Sequence, residues 1–232
     1  SAAAAEINAA PDPVARAVSD EEAVARISAL YNKLKPAGTA VCRYVGEHHC
    51  DWELTYSPEE EVNAYASDAG TVVIYKGIVQ YARSDAEIAM VIAHEIAHIQ
   101  QRDPIVALGR GVVVGLFLTV IIGSSTDRFV GNVVSEAGTL TVLGFNRKQE
   151  QRADEIALKA IAEHYGHVNG TDELFKAFLK LEDEYDSIAP EFFSTHPLSD
   201  DRIRKIKIQA DKNNWPIKGQ TVPLPDFITN SK

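Results

Sequence analysis

Residues 94–98 read His94-Glu95-Ile96-Ala97-His98. On a helix, positions four apart share a face, so His94 and His98 can offer two imidazole nitrogens to one metal ion. Glu95 then stands within reach of a water held by that ion, as a general base for hydrolysis. The flanking residues support a buried helix. Ser84-Asp85-Ala86-Glu87 has the form of a capping box. Ile88, Val91, Ile92, Ile96 and Ile99 recur at helical spacing, and Asp103-Pro104 supplies a stop. Two ordinary buried histidines are the bland alternative, and the glutamate in register between them argues against it.

A catalytic zinc site uses three protein ligands and keeps one position open, whereas a structural site closes with four. Cys42 and Cys50 are the chain's only cysteines, and their spacing does not suit a zinc finger. The candidate third ligand is Glu150, in Arg147-Lys148-Gln149-Glu150-Gln151-Arg152-Ala153-Asp154. Ile156, Ala157, Ala160 and Ile161 continue that run as an amphipathic helix. Asp154 lies one turn beyond Glu150 on the same face and can accept the outer N–H of a ligand histidine. Taken alone, the charge run would read as a solvated helix face.

Together these pieces resemble the M48 family of zinc metallopeptidases, which includes membrane-bound CAAX-processing and HtpX-type proteases and soluble periplasmic members. The resemblance rests on Asn63-Ala64-Tyr65-Ala66, His94–His98, Glu150–Asp154 and Thr195-His196-Pro197 followed by Arg202-Ile203, in the family's order. It implies an α+β, zincin-like (gluzincin) domain, mostly helical, with a small sheet whose edge strand lies beside the active-site helix. It implies one Zn2+ per chain, held by His94, His98 and Glu150, with Asp154 behind a ligand histidine. Glu95 is the expected general base. A developing oxyanion needs a donor opposite it, and the resemblance points to His196, with Arg202 in support. Asn63, Ala64, Tyr65 and Ala66 are the expected edge strand that pairs with an extended polypeptide. The implied reaction is hydrolysis of internal peptide bonds in unfolded or misfolded proteins. The alternative is a non-catalytic or latent, chaperone-like, client-binding zinc protein of the cell envelope, with His196 filling the fourth position. The intact Glu95 favours the enzyme. Asn146 is a small departure, since many relatives carry a serine there, but it is not a ligand position.

Composition narrows the partners. The 232 residues are 45% hydrophobic, enough for one sizeable core. The net charge of −10 argues against nucleic acid, which requires a basic footprint. The family resemblance implies a periplasmic or cell-envelope location. Residues 1–18 are expected to be a linker, 19–211 the peptidase domain and 212–232 an extended tail. Ser1–Pro13 is alanine-rich without the features of a signal peptide, so it reads as what remains after a leader or lipid anchor is removed, or as an arbitrary boundary. Cys42 and Cys50 flank polar Arg43–His49, which favours a single disulfide over two reduced thiols.

The elements that must position the site can be outlined. Helices are expected over Asp20–Lys35, stopped by Pro36, and over Ser84–Gln101, a stretch from Glu150 to about Tyr165, Thr171–Glu184 and Ser199–Asp211. Strands are expected at Val41–Tyr44, Trp52–Thr55, Asn63–Ala66 and Thr71–Tyr75, with a turn at Asp68-Ala69-Gly70. Strands followed by helices indicate an α+β domain. Ile105–Gly123 is apolar and glycine-punctuated, and its 13 apolar residues from Gly111 to Gly123 fall short of a bilayer span. It reads as a core helix or, with Val130–Leu143, as an apolar hairpin (105–143) touching a membrane or a hydrophobic client.

Overall fold

The computed structural model describes residues 14–45, 53–66, 71–103, 106, 144–184, 192 and 195–222. Helix α1 spans Asp20–Val45. Strands β1 (Glu53–Ser57), β2 (Ala64–Ala66) and β3 (Thr71–Tyr75) follow. Then come helices α2 (Lys76–Tyr81), α3 (Asp85–Gln100), α4 (Arg147–Tyr165), α5 (Glu173–Glu184) and α6 (Asp200–Lys212). Helices dominate beside one three-stranded sheet, an α+β arrangement.

Helix α3 is the hub. Every residue from Asp85 to Ile99 is buried, and a helix that is apolar nearly all round must be enclosed on all sides. α1 supplies Ala23, Ile27, Leu30 and Leu34 along one stripe, and α4 supplies Ala153, Ala157, Leu158 and Ile161. Both helices pack on α3, as do β2 and β3. Ala93 and Ala97 on α3 and Ala153 and Ala157 on α4 are small and buried, and the two helices pack together. Truncating Leu30 to alanine in this core would cost about 2–5 kcal/mol.

The sheet has the order β1-β3-β2. β1 runs parallel to β3 with Glu53 opposite Thr71, and β2 runs antiparallel to β3 with Ala64 opposite Ile74. β2 is thus an edge strand among the described residues. Alternation along it is simple: Ala64 and Ala66 are buried, while Tyr65 turns toward Tyr75, with ring centroids 6.2 Å apart.

Some boundaries differ from the sequence expectation. α1 continues through Pro36 to Val45, so Val41–Tyr44 is helix rather than strand. An interior proline costs about 3 kcal/mol and one hydrogen bond but does not forbid helix on either side. Four residues of alternating character carry too little periodicity to separate helix from strand. Thr171 is not a helix cap: its hydroxyl donates back to the Val168 carbonyl at 2.9 Å, and α5 begins two residues later. α4 ends as expected, on Gly166 in the left-handed conformation at φ 74°.

Both ends of the described chain are tied near α3. The Arg16 N–H donates to the Gln80 carbonyl at 3.0 Å, and Val18 joins the core. After α6, Pro216 O accepts from the Val168 N–H at 2.9 Å, and Gly219 O accepts from the Asn169 amide at 2.8 Å. Val222 O then accepts from the Asp85 N–H at 3.0 Å. Ser1–Pro13, Cys50 and hence any Cys42–Cys50 pairing, the Asp68–Gly70 turn, the apolar 105–143 stretch apart from Val106, and 223–232 lie outside the described residues. No described helix is long and apolar enough to cross a membrane.

Candidate metal centre

The start of α3 carries a modified capping box. Ser84 is the N-cap, but its hydroxyl donates to Glu87 Oε1 at 3.0 Å instead of accepting a helix N–H. Glu87 Oε2 accepts the Arg83 N–H at 3.2 Å. At the other end, His94, Glu95 and His98 are fully enclosed. Beyond the helix, Arg102 adopts φ 57° and its N–H returns to the Ile99 carbonyl at 2.9 Å. Glycine usually fills such a position, and a side chain there costs about 1–2 kcal/mol. This turn brings Asp103 back under the helix, with Oδ2 at 2.9 Å from His98 Nδ1.

Helix α4 delivers the carboxylates. Asn146 caps it in a full capping box with Gln149, so the first turn, carrying Glu150, is fixed. Glu150 Oε1 lies 3.2 Å from His98 Nε2 and 3.1 Å from His196 Nδ1. Its Oε2 lies 3.5 Å from His94 Nε2. The two Nε2 atoms of His94 and His98 are 3.0 Å apart, and His94 Nε2 is 3.3 Å from His196 Nδ1. One turn along α4, Asp154 Oδ1 sits 3.0 Å from His94 Nδ1. Each α3 histidine therefore has a carboxylate behind its outer nitrogen.

His196 and Arg202 come from the chain around the start of α6. The His196 N–H donates to the Phe192 carbonyl, and its ring stacks on Phe192 at 4.5 Å between centroids. Phe145 stacks on His98 at 4.0 Å, and its N–H donates to the Thr195 carbonyl at 2.9 Å. His196 Nε2 is 3.4 Å from Glu95 Oε1. Arg202 holds the two α4 carboxylates at once. Its Nε and Nη2 reach Asp154 at 2.6 and 2.8 Å, and Nη1 lies 2.6 Å from Glu150 Oε2. Phe175 lies under the guanidinium at 4.9 Å. The bonds of Arg202 thus run to Glu150, Asp154 and the His94 ring, where the sequence pointed to support for His196.

The electrostatics favour a cation. Four carboxylates, those of Glu95, Asp103, Glu150 and Asp154, surround three imidazoles and the buried Arg202 guanidinium. Burial opposes charge on His98, but Asp103 and Glu150 overcome it and push the ring up to about 9. Burial and Arg202 likewise oppose protonation of His94, and Glu150 and Asp154 outweigh them and raise it. Burial acts to raise the carboxyls of Glu150 and Asp154, yet Arg202 and the histidines hold Glu150 well below and Asp154 below the usual carboxylate range. His196, where burial dominates, stays low. The same field that draws protons onto the rings would draw a divalent ion.

The donor set could hold a metal ion. His94, His98, Glu150 and His196 each offer one ligand atom, all within 4.8 Å of one another. His94 Nε2 and His98 Nε2 are 3.0 Å apart, and Glu150 Oε1 lies 3.2 Å from His98 Nε2 and 3.1 Å from His196 Nδ1, close enough for one ion to be shared. Beside them, both Glu95 carboxylate oxygens are buried and accept no hydrogen bond. Asn63–Ala66 lies on the flank of α3 that β2 covers, and Asn63 is buried with its side-chain oxygen unbonded.

Three residues around the cluster escape sequence reasoning. Asp103 reads as a helix stop, Gln149 as one polar residue in a charged run, and Phe145 as the end of an apolar stretch. An acidic residue just past the exit of a two-histidine helix is the one signal that could have singled out Asp103.

The Peptidase family M48 model matches residues 29–210. A putative beta-barrel assembly-enhancing protease of Vibrio cholerae serotype O1 is 28% identical over 163 residues, covering 66% of this chain and 33% of that protein. A protease HtpX homolog of Bacillus velezensis is 28% identical over 216 residues, covering 78% of this chain and 68% of that protein. The mitochondrial metalloendopeptidase OMA1 of Schizosaccharomyces pombe is 31% identical over 161 residues, covering 67% and 46%. The chain spans about a third of the length of the beta-barrel assembly-enhancing proteases it matches. M48 peptidases are metal-dependent, the buried histidines and carboxylates fall inside the matched region, and the chain belongs to peptidase family M48.

Proposed function

We propose that the chain is a zinc-dependent endopeptidase acting on unfolded or misfolded polypeptides. The observation that carries this reading is the convergence of His94, His98 and Glu150 beside a buried Glu95 carboxylate that accepts no hydrogen bond. When bound, zinc supplies Lewis-acid polarisation of the scissile carbonyl and acidifies a water toward neutral pH. His94 and His98 present Nε2 to the ion while Asp154 and Asp103 hold their Nδ1 protons on the far side. Glu150 completes the three-ligand set, and Arg202 keeps its carboxylate in place. Glu95 takes the proton of the attacking water and delivers it to the leaving amine nitrogen. His196, next to Glu95, offers an imidazole N–H to the developing oxyanion once its ring leaves the cluster. β2 pairs with the extended substrate, so recognition rests on backbone groups and side-chain preference is weak. Similarity to the beta-barrel assembly-enhancing proteases supports a periplasmic or cell-envelope location, which fractionation of cells carrying a tagged full-length protein would test.

The four-donor cluster supports a second reading of the resting state. With His196 as a fourth ligand the site is closed, and the chain is a latent peptidase or a client-binding zinc protein. One experiment separates the two: zinc content and casein cleavage, wild type against Glu95→Gln. The enzyme reading expects equal zinc in both and cleavage only by wild type. Zinc-loaded wild type that cleaves no better than the variant would leave only the closed site.

A further inference from the structure

The outer nitrogen of His98 does not end at Asp103. Asp103 Oδ2 faces His98 Nδ1, and its Oδ1 accepts from Gln149 Nε2 at 2.7 Å. Gln149 is in turn held by the cap of α4. Its Oε1 accepts from the Asn146 backbone N–H at 3.1 Å and from the Asn146 side-chain amide at 2.6 Å. With Oε1 engaged by two donors, the Gln149 amide has only its NH2 to turn toward Asp103. His98, Asp103 and Gln149 are all buried, at 0%, 1% and 2% exposure. An unbroken chain of hydrogen bonds thus runs from the N-cap of α4 to the metal-facing ring of α3.

We propose that Gln149 is a positioning residue for metal binding, clamping Asp103 so that His98 keeps its proton on Nδ1 and its Nε2 lone pair toward the ion. The proposal rests on the zinc-site reading and adds a residue outside the donor set. The same side chain that terminates the helix backbone sets the second ligand's tautomer. The arrangement registers α4 against the exit of α3, because Gln149 immediately precedes the ligand Glu150. It also gives Asn146 a part: its amide both accepts from the Lys148 and Gln149 backbone N–H groups and donates to Gln149.

The chemistry of the clamp is directional, and this makes it testable. Glutamate is the usual partner in a capping box, so Gln149→Glu preserves the cap. It also replaces the donor facing Asp103 with an acceptor, leaving two carboxylates in contact. Adding Asp103→Asn reverses the polarity: the new amide donates to the new carboxylate while its carbonyl still accepts from His98. The measurements are zinc dissociation into a chelator, the visible absorption of the cobalt-substituted protein, and thermal melting of the metal-free chain. Gln149→Glu is expected to speed zinc loss about 10–100-fold, the usual range for partners of a metal ligand, and to shift the cobalt bands. The double variant is expected to recover part of that loss. A Gln149→Glu protein with wild-type dissociation and spectrum, or a double variant whose loss is the sum of the two single changes, overturns the proposal. Melting of the metal-free chain separates this from misfolding: a folded variant with wild-type zinc retention is decisive against the clamp. Wild type that retains no zinc overturns the zinc reading and the clamp with it.

Discussion

At the scale of single residues, the proposed site divides its work between groups that would face the ion and groups that hold those groups in place. Glu150 belongs to the first set. Glu150→Gln is expected to lose most zinc affinity while the chain stays folded, because a neutral amide is a poor zinc ligand; isothermal titration of the metal-free protein checks this, and full affinity would remove Glu150 from the donor set. His196 spans both sets, touching the cluster through Nδ1 and approaching Glu95 through Nε2. His196→Ala is expected to keep zinc and to lower the turnover number. If the resting latch dominates, basal cleavage instead rises. Unchanged turnover with unchanged basal cleavage would exclude both roles. Arg202 belongs to the second set, and its planar fork matches the two carboxylates it holds in a way a lysine cannot reproduce.

At the scale of elements, α3 carries a buried acid at its entrance, Glu87, as well as buried Glu95, the proposed base, near its end. Burial pushes the Glu87 carboxyl up from 4.5 to about 7, with hydrogen bonds from Arg83 and Ser84 only partly opposing it and Glu173 adding to the shift. A carboxyl raised in the folded state binds its proton more tightly there than in the unfolded chain. Its stabilising contribution is therefore fully present below about pH 4.5 and is lost as pH rises through about 7. The loss amounts to about 3 kcal/mol. Urea unfolding of wild type and Glu87→Gln at about pH 5 and pH 8 is expected to show the variant gaining relative to wild type at the higher pH; a pH-independent difference would refute this. How far such elements are legible in sequence depends on where their signals are local. Asn146 and Gly166 bracket α4 because caps are written in adjacent residues. The extension of α1 past Pro36 is not legible locally, since a proline in sequence reads as a stop. Asp103 is hidden for a related reason: its role depends on the left-handed turn at Arg102, a conformation more often signalled by glycine. The His94, Glu95, His98 and Glu150 constellation was readable because fixed helical spacings and the family pattern carry it. The contacts of Arg202 required the fold itself.

At the scale of the whole molecule, the segment after α6 acts as a brace across the start of α3 and the α4–α5 turn. Gly219 lies against the His167 ring so closely that an added Cβ would collide with it. His167 also meets the Gln220 carbonyl through Nε2 at 3.1 Å. Gly219→Val is expected to destabilise the fold by about 1–3 kcal/mol, the range for overpacking, and to lower the melting temperature by about 2–4 °C for each of those. The local readout is hydrogen exchange at the Asp85 N–H, which should quicken as Val222 withdraws. Exchange and melting both at wild-type values would show that the brace carries no load.

The same long reach has a bearing on how the protein is made. His94 and Arg202, which meet at 3.2 Å, are separated by 108 positions of chain. At a synthesis rate of about 5–20 residues per second, seconds pass between emergence of the first histidine and arrival of the guanidinium that steadies Glu150 and Asp154. During that interval the nascent chain holds a two-histidine helix without its complete set of carboxylate clamps. In a chain wired this way the carboxylate clamps are expected to close only once the residues through Arg202 have left the ribosome.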